Sequence, residues 1–186
     1  PAGAAEFAVT GHERAKGGDV VKVIYALLSI VLLAGLGLLV AGQAGMLEGT
    51  APQKLGVLEG KLRPPSDTPN SVSSQADLYP DHPQQKYARI APFTFSGDGH
   101  QAMQTLANVL SGMHETRVVK QEADYLYAQS TTTWLRFTDD LEFWLDPARN
   151  VIQVRSASRM GKKDLGKNRQ RMETIRELFG KALAAQ

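Results

Sequence analysis

The sequence predicts an α+β protein in which an N-terminal transmembrane helix precedes a curved antiparallel sheet of about five strands, with two helices packed on one face. Three observations predict this fold class. Residues 23–47 contain no charged side chain, later segments alternate apolar and polar residues as strands do, and two other segments repeat apolar residues at helical spacing.

The transmembrane anchor is predicted over residues 19–47. A helix of roughly 20 apolar residues is enough to cross a bilayer, and it satisfies its own backbone hydrogen bonds there. Signal peptides have a shorter apolar region of roughly 7–15 residues, which favours a retained anchor over a cleaved signal. Gly37, Ala41 and Gly45 recur at every fourth position, and such a stripe of small residues lets another membrane helix approach closely.

The charges beside the anchor predict its orientation. Arg14, Lys16 and Lys22 precede the apolar run, whereas Lys54 is the nearest basic residue behind it. Because basic residues resist translocation, the N-terminus is expected in the cytoplasm and the C-terminal domain in the periplasm of a bacterium, with one span in the inner membrane. Residues 1–18 are small and polar, and they are predicted to form a flexible arm.

Composition limits the chemistry that the chain can carry. It has no cysteine, which excludes disulfides, zinc–thiolate sites and thiol nucleophiles. The net charge of +2 is spread along the chain, so a nucleic-acid partner is not expected. The four histidines lack the spacing of metal ligands, and neither a metal nor another cofactor is predicted.

Residues 48–87 are predicted to be a tether, and residues 88–186 a globular domain. The tether is rich in Pro, Gly and Ser, and its prolines exclude a regular helix or a central strand over residues 63–70 and 79–83. We expect it to pack in places on the domain that follows.

The domain is predicted to begin with a strand over residues 89–95, where apolar and polar residues alternate. Ser96 is expected to cap the next helix. Two β-rich segments follow, at residues 117–120 and 125–131. The apolar stripe of the helix contains Ala102, Leu106, Val109, Leu110 and Met113.

The clearest prediction is a hairpin with Pro147 in its turn. If Asp146 pairs with Val151, the apolar faces of the two strands match, and Phe143 then opposes Val154. A final helix is predicted over residues 164–183, with Asp164 as its cap. Its apolar stripe contains Leu165, Met172, Ile175, Phe179 and Leu183.

Four polar residues occupy positions that continue the apolar faces of these elements. Asp139, Ser156 and Ser158 lie on the apolar face of the hairpin, and Asn168 interrupts the stripe of the last helix. Buried polar groups need partners, so we expect the four to converge beneath that helix. They would form either a structural network that ties helix to sheet or the polar end of a ligand pocket.

Charged residues lie on the opposite face of the hairpin. Asp140, Glu142, Arg155 and Arg159 are expected to form ordinary cross-strand ion pairs on a solvated face, where each pair contributes about 0.2–1 kcal/mol. A ligand site is the alternative.

A basic segment leads into the last helix. Lys162, Lys163 and Arg169 lie close to its N-terminus, where the helix dipole adds to their positive field. Such a place suits a phosphate, a lipid head group or an acidic partner, and a solvated basic surface is the alternative. The glycine and lysine spacing of a nucleotide-binding P-loop is missing.

Four separated motifs resemble a known family. They are DTPNSVSS at residues 67–74, FTDDLEF at 137–143, VRSASR at 154–159 and DLGKNR at 164–169. In this order, and over residues 65–179, the chain resembles the bacterial and plastid domain-of-unknown-function 1499 family. Members often have a cysteine where this chain has Ser71. The resemblance implies the domain limits and no particular reaction, and it suggests one constellation: Asn70, Asp139, Asp140, Arg155, Ser156, Ser158 and Asn168.

The expected function is that of a membrane-anchored, non-catalytic binding or accessory module, acting as a subunit or assembly factor of an inner-membrane complex. The anchor and the absence of a recognisable catalytic set favour it, and the expected partners are the membrane and other transmembrane proteins. The alternative is a small periplasmic hydrolase, or a protein that handles lipids or anionic ligands, using the polar cluster under the last helix. A hydrolase needs a hydroxyl within about 2.6–3.2 Å of a general base. The candidate ligand-binding residues are Asn70, Asp139, Asp140, Arg155, Ser156, Ser158, Arg159 and Asn168.

Overall fold

A computed structural model of the chain describes residues 6–186, with side chains described from residue 18 onward. The predicted α+β class is confirmed. Its helices are α1 (Glu6–Gln43), α2 (Gln85–Ala88), α3 (Gly99–Ser111) and α4 (Lys167–Ala184), with a 3-10 helix at Ala76–Leu78. Its strands are β1 (Ser71–Ser73), β2 (Thr116–Gln121), β3 (Tyr125–Thr131), β4 (Thr138–Asp146) and β5 (Val151–Ser158).

The five strands form one antiparallel sheet in the order β1-β5-β4-β3-β2. The register predicted for the β4–β5 hairpin is confirmed, since Asp146 pairs with Val151 and Phe143 with Val154. Alternation of apolar residues fixes this register, because a slip of one residue would turn every side chain to the wrong face.

Helices α3 and α4 pack on one face of the sheet, as predicted. Phe93 lies at the centre of this core, with its ring centroid 5.9 Å from that of Phe143 and 6.0 Å from that of Phe179. All three rings are buried, and full burial of such a side chain stabilises the fold by about 1.5–3 kcal/mol. Helix α4 supplies Met172 and Ile175 to the same core.

The second face of the sheet is also covered. Leu62 packs there against Tyr125, Tyr127 and Trp144, and Leu55 adds to this smaller cluster. The cover comes from the segment predicted to be a tether. This segment has few regular elements but packs closely on the domain, and it shields the part of the second face around Tyr125, Tyr127 and Trp144 from water.

Three local predictions are wrong. Helix α4 begins at Lys167 and not at residue 164, so Leu165 lies before the helix and is exposed instead of joining its apolar stripe. Residues 89–95 form only isolated bridges, from Arg89 to Ser73 and from Phe93 to Ile152, because Pro92 between them has no N–H to donate. The remaining strand is β1, which lies before the predicted start of the domain at residue 88. Helix α3 is capped by Asp98, whose Oδ1 accepts a hydrogen bond from the Gln101 N–H at 2.8 Å, and not by Ser96.

Helix α1 carries the predicted anchor. Within the described residues, its segment Gly18–Gln43 is the one helix long and apolar enough to cross a membrane, and none of its most apolar stretch is buried. The helix begins at Glu6 and so includes part of the predicted arm. Residues 1–5 lie outside the described residues, and the flexibility of residues 1–18 stays a prediction. The helix ends at Gln43, so Gly45, the third residue of the predicted small-residue stripe, lies beyond the helix with a φ of +78°, and the prediction is wrong for that residue.

The C-terminal end of α1 packs on the domain. The Gln43 side-chain amide donates hydrogen bonds to the backbone carbonyls of Thr133 and Trp134, both at 2.9 Å. Gly42 is buried against Leu135, and a Cβ at Gly42 would lie only 2.8 Å from the Leu135 carbonyl oxygen. No free linker therefore separates this helix from the sheet.

Candidate functional site

Asn168, in the first turn of α4, is the centre of a buried polar cluster. Its side-chain Nδ2 lies 2.9 Å from each of three acceptors, namely the Asn70 carbonyl, the Ser158 hydroxyl and Oδ2 of Asp164. The Ser156 hydroxyl donates to Asn168 Oδ1. Ser156 and Asn168 have no solvent-exposed surface. The structure therefore brings Ser156, Ser158 and Asn168 together as predicted.

Asp164 connects this cluster to the start of α4. Its Oδ2 accepts the Asn168 N–H at 3.1 Å and its Oδ1 accepts the Gly166 N–H at 3.0 Å. The N-cap residue is Gly166 and not Asp164 as predicted, so the Asp164 carboxylate binds the free N–H groups of the first turn from two residues before the cap. The Tyr87 hydroxyl also donates to Oδ1. Burial acts to raise the pKa of Asp164, but the hydrogen bonds from Tyr87, Gly166 and Asn168 outweigh it and leave the pKa below its ordinary value.

Asp139 joins the cluster only indirectly. Its carboxylate pairs with Arg171 at 2.7 Å, and Arg171 also donates to Asn168 Oδ1 at 3.1 Å. Sequence reasoning missed Arg171. Its spacing of three residues from Asn168 was the available signal, because residues three apart share a helix face.

Asn70 lies at the edge of the cluster with one unsatisfied atom. Its Nδ2 donates to the Gly161 carbonyl at 2.8 Å, whereas its Oδ1 is buried and has no hydrogen-bond partner within the described part of the chain. Surface cavities of about 250 to 590 Å³ are present, but Asn70, Ser156 and Asn168 line none of them. The cluster is therefore a hydrogen-bond network that connects α4 to β5 and to the segment around Asn70, and it does not line any of these cavities.

Among the charged residues on the other face of the hairpin, Asp140, Glu142 and Arg155 are buried and Arg159 is half-buried, so the prediction of a solvated face is wrong for them. Arg159 forms a bidentate ion pair with Asp140, in which its guanidinium nitrogens lie 2.9 and 2.7 Å from the carboxylate oxygens. Tyr127 donates its hydroxyl to the same carboxylate at 2.6 Å. These hydrogen bonds to Asp140 raise the pKa of Arg159 above its usual value. The physical reason for the burial is the covering segment, which sequence periodicity did not reveal.

A second buried pair ties the covering segment to the sheet. Glu142 accepts hydrogen bonds from the Tyr125 hydroxyl at 2.8 Å and from the Gly56 N–H at 2.9 Å. Arg155 lies 3.5 Å from the Glu142 carboxylate and donates to the Pro64 carbonyl at 3.2 Å. Burial lowers the pKa of Arg155. Removing one partner of such a buried pair costs about 3–5 kcal/mol.

The three basic residues predicted as an anion-binding group have different environments in the structure. Lys162 and Lys163 are exposed and remain candidates for an anionic partner. Arg169 instead donates to the backbone carbonyls of Tyr87 at 2.6 Å and Arg89 at 2.8 Å. Its guanidinium therefore holds the start of α4 against the segment around α2.

The model of one protein family, described as "Protein of unknown function (DUF1499)", matches residues 61–179. The chain belongs to this family. The predicted resemblance is thereby confirmed, and the DUF1499 region contains the Asn168 cluster, both buried ion pairs and Leu62 of the covering segment. Helix α1 lies before it. No curated protein and no solved structure matches the chain.

A polar cavity of about 360 Å³ lies at the junction of the DUF1499 domain and the segment that follows α1. Arg117, Arg136 and Arg159 contribute to its wall together with Glu48 and Glu115. Arg136 pairs with Glu48 at 2.7 Å. Sequence reasoning missed this cavity, because its walls come from segments that are far apart along the chain. In the described part of the chain, this cavity included, no group of three or more His, Asp or Glu side chains is placed to hold a metal ion.

Proposed function

We propose that this DUF1499 protein is a membrane-anchored, non-catalytic accessory module that serves as a subunit or assembly factor of a bacterial inner-membrane complex, with its folded domain in the periplasm. The observation that carries the proposal is the docking of α1 on the domain through Gly42 and Gln43. A domain joined in this way is held at a fixed height and orientation on the membrane. That arrangement suits a module that positions partners.

The hydrogen bonds within the buried polar cluster around Asn168 also favour this proposal over a hydrolase. The acceptor for the Ser156 hydroxyl is the amide oxygen of Asn168, which cannot serve as a general base. The Ser158 hydroxyl accepts from the same amide. Both hydroxyls are thus engaged in joining α4 to β5.

The surface of α1 offers the partner site. Its apolar side chains are exposed from residue 20 to residue 38, and Gly37 has open space where a Cβ would lie. Gly37 and Ala41 place small residues on one helix face, where a second transmembrane helix can pack closely.

A pair of glycine substitutions tests the proposal. Gly35 and Gly37 lie on opposite faces of α1 because successive residues rotate by about 100°, and a Cβ at either position meets nothing within 4 Å. We expect Gly37→Leu to dissociate the full chain from a stoichiometric transmembrane partner, and Gly35→Leu to leave the complex intact. The measurement is native electrophoresis and mass determination after extraction of native membranes in mild detergent. A wild-type chain that runs alone as a monomer would contradict the proposal.

A further inference from the structure

We infer that the end of the DUF1499 domain next to α1 rests on the membrane surface, with Trp134 in the head-group layer and Lys162 and Lys163 facing anionic lipid. The inference rests on the proposed membrane anchoring and adds a second, reversible contact with the same bilayer. Two loops form this contact, and they are called the β3–β4 loop (residues 132–137) and the β5–α4 loop (residues 159–166).

Strand pairing places both loops at the same end of the sheet. Asp139 near the start of β4 pairs with Ser158 at the end of β5. The β3–β4 loop, which precedes β4, and the β5–α4 loop, which follows β5, therefore lie at the same end of these strands. The Arg159 N–H donates to the Thr138 carbonyl at 3.1 Å, which holds the two loops side by side.

The chain that leaves α1 contacts both loops. Gln43 is bonded to the carbonyls of Thr133 and Trp134 in the β3–β4 loop. Gly49 lies against the β5–α4 loop, where an added Cβ would be 2.7 Å from Cβ of Arg159. Because α1 is apolar up to Gln43, a bilayer that contains α1 ends close to the level of these loops.

The two loops, which contact the chain at the end of α1, expose three large apolar side chains. Trp134 is 69% exposed, Leu165 is 89% exposed and Met160 is 42% exposed. Leu165 also has a φ of +52°, a conformation that is uncommon for a branched residue. Tryptophan is enriched at the membrane–water interface, where its ring lies among the head groups.

The charge of this surface matches an anionic bilayer. Lys162 and Lys163 are exposed in the same loop as Met160 and Leu165. Each lysine near an anionic surface strengthens binding roughly fivefold. Asp164, the carboxylate within that loop, is turned inward onto the first turn of α4. The occupant that fits both the apolar and the basic side chains is a lipid surface containing phosphatidylglycerol.

The test uses the full chain reconstituted into phosphatidylglycerol/phosphatidylcholine vesicles whose acyl chains are brominated close to the head group. Bromine quenches tryptophan fluorescence over short distances. The chain has two tryptophans, and Trp144 is buried in the cluster with Leu62. We expect lipid-dependent quenching in the wild type and its loss in Trp134→Phe, which reports Trp144 alone.

Charge reversal supplies the matched comparison. Lys162→Glu combined with Lys163→Glu should reduce the ratio of domains in contact with the lipid surface to domains out of contact by on the order of 25-fold or more. The measurement is the loss of Trp134 quenching. Lys120→Glu with Lys181→Glu changes the net charge equally at exposed positions outside the two loops, and it should leave quenching unchanged.

Flotation of each reconstituted sample with its vesicles distinguishes failure of the membrane anchoring by α1 from failure of the contact between the domain and the lipid surface. A chain that does not float has failed to insert α1, and the proposed membrane anchoring is then wrong. A chain that floats while Trp134 stays unquenched is anchored in the membrane, and only the proposed contact between the domain and the lipid head groups is then refuted. Equal quenching in the two charge-reversed variants would refute the role of Lys162 and Lys163.

Discussion

Replacement of Asn168 by alanine tests whether the polar cluster is a structural joint. The substitution removes the donor to the Asn70 carbonyl and the acceptor of the Ser156 hydroxyl. Ser156 is fully buried, so water cannot replace the lost partner. Ser158 is partly exposed and can be hydrated, and Asp164 keeps its backbone donors.

The cost follows from the groups left without partners. An unsatisfied buried group costs about 1–3 kcal/mol, and Ser156 supplies one such group. We therefore expect Asn168→Ala to lower the free energy of unfolding by about 1–3 kcal/mol. At roughly 2–4 °C for each kcal/mol in a chain of this size, the melting temperature should fall by about 2–12 °C.

The assay is thermal melting of the full chain in mild detergent, followed by near-ultraviolet circular dichroism. Asn108→Ala is the control, because Asn108 is exposed on α3 and alanine is the better helix former there. The control should melt at or slightly above the wild-type temperature. If Asn168→Ala also melted with the wild type, the cluster would contribute no stability and a ligand-binding role would regain support.

Two further predictions concern buried charge. Arg155→Ala should lower the free energy of unfolding by about 3–5 kcal/mol, because it leaves Glu142 buried without its charged partner. Arg89→Ala, at the solvent-exposed pair with Asp77, should cost under about 1 kcal/mol. Urea unfolding compares the two variants, and equal costs would contradict the buried network. The folded-state pKa of Asp164 is lowered, so its contribution to stability is present above the ordinary Asp pKa of about 3.9 and is lost as the pH falls through the folded value. Melting in acid should show a smaller loss of stability for Asp164→Asn than for the wild type, and identical acid profiles would refute this linkage.

Periodicity explains why part of the fold and of the cluster was predictable. A period of two fixes which residues of β4 and β5 face the helices, and a helical period does the same for α4. The two periods together place Ser156 and Ser158 on the sheet face that meets α4, and Asn168 on the helix face that meets the sheet. The hairpin register follows from the same rule, since only one pairing matches Phe143 with Val154.

The rest depended on contacts that periodicity does not encode. β1 has three residues, too few to show alternation. The covering segment binds partly through backbone groups, such as the Gly56 N–H on Glu142, and these contacts leave no side-chain pattern in the sequence. A signal did exist in the large aromatic residues of the second face, because Tyr125, Tyr127 and Trp144 together are unusual on a solvated sheet surface. That signal would also have predicted burial of Asp140 and Glu142.

The proposal that α1 anchors the DUF1499 domain on the periplasmic face of the inner membrane is tested most directly by a pair of reporter fusions. A reporter enzyme that is active only after export, fused after Gln186, should be active, while a fluorescent protein that matures only in the cytoplasm should be dark at the same position. The same reporters fused after Lys22, before the apolar run, should give the opposite pattern. Fluorescence of the cytoplasmic reporter at Gln186, with no activity of the exported one, would contradict the account.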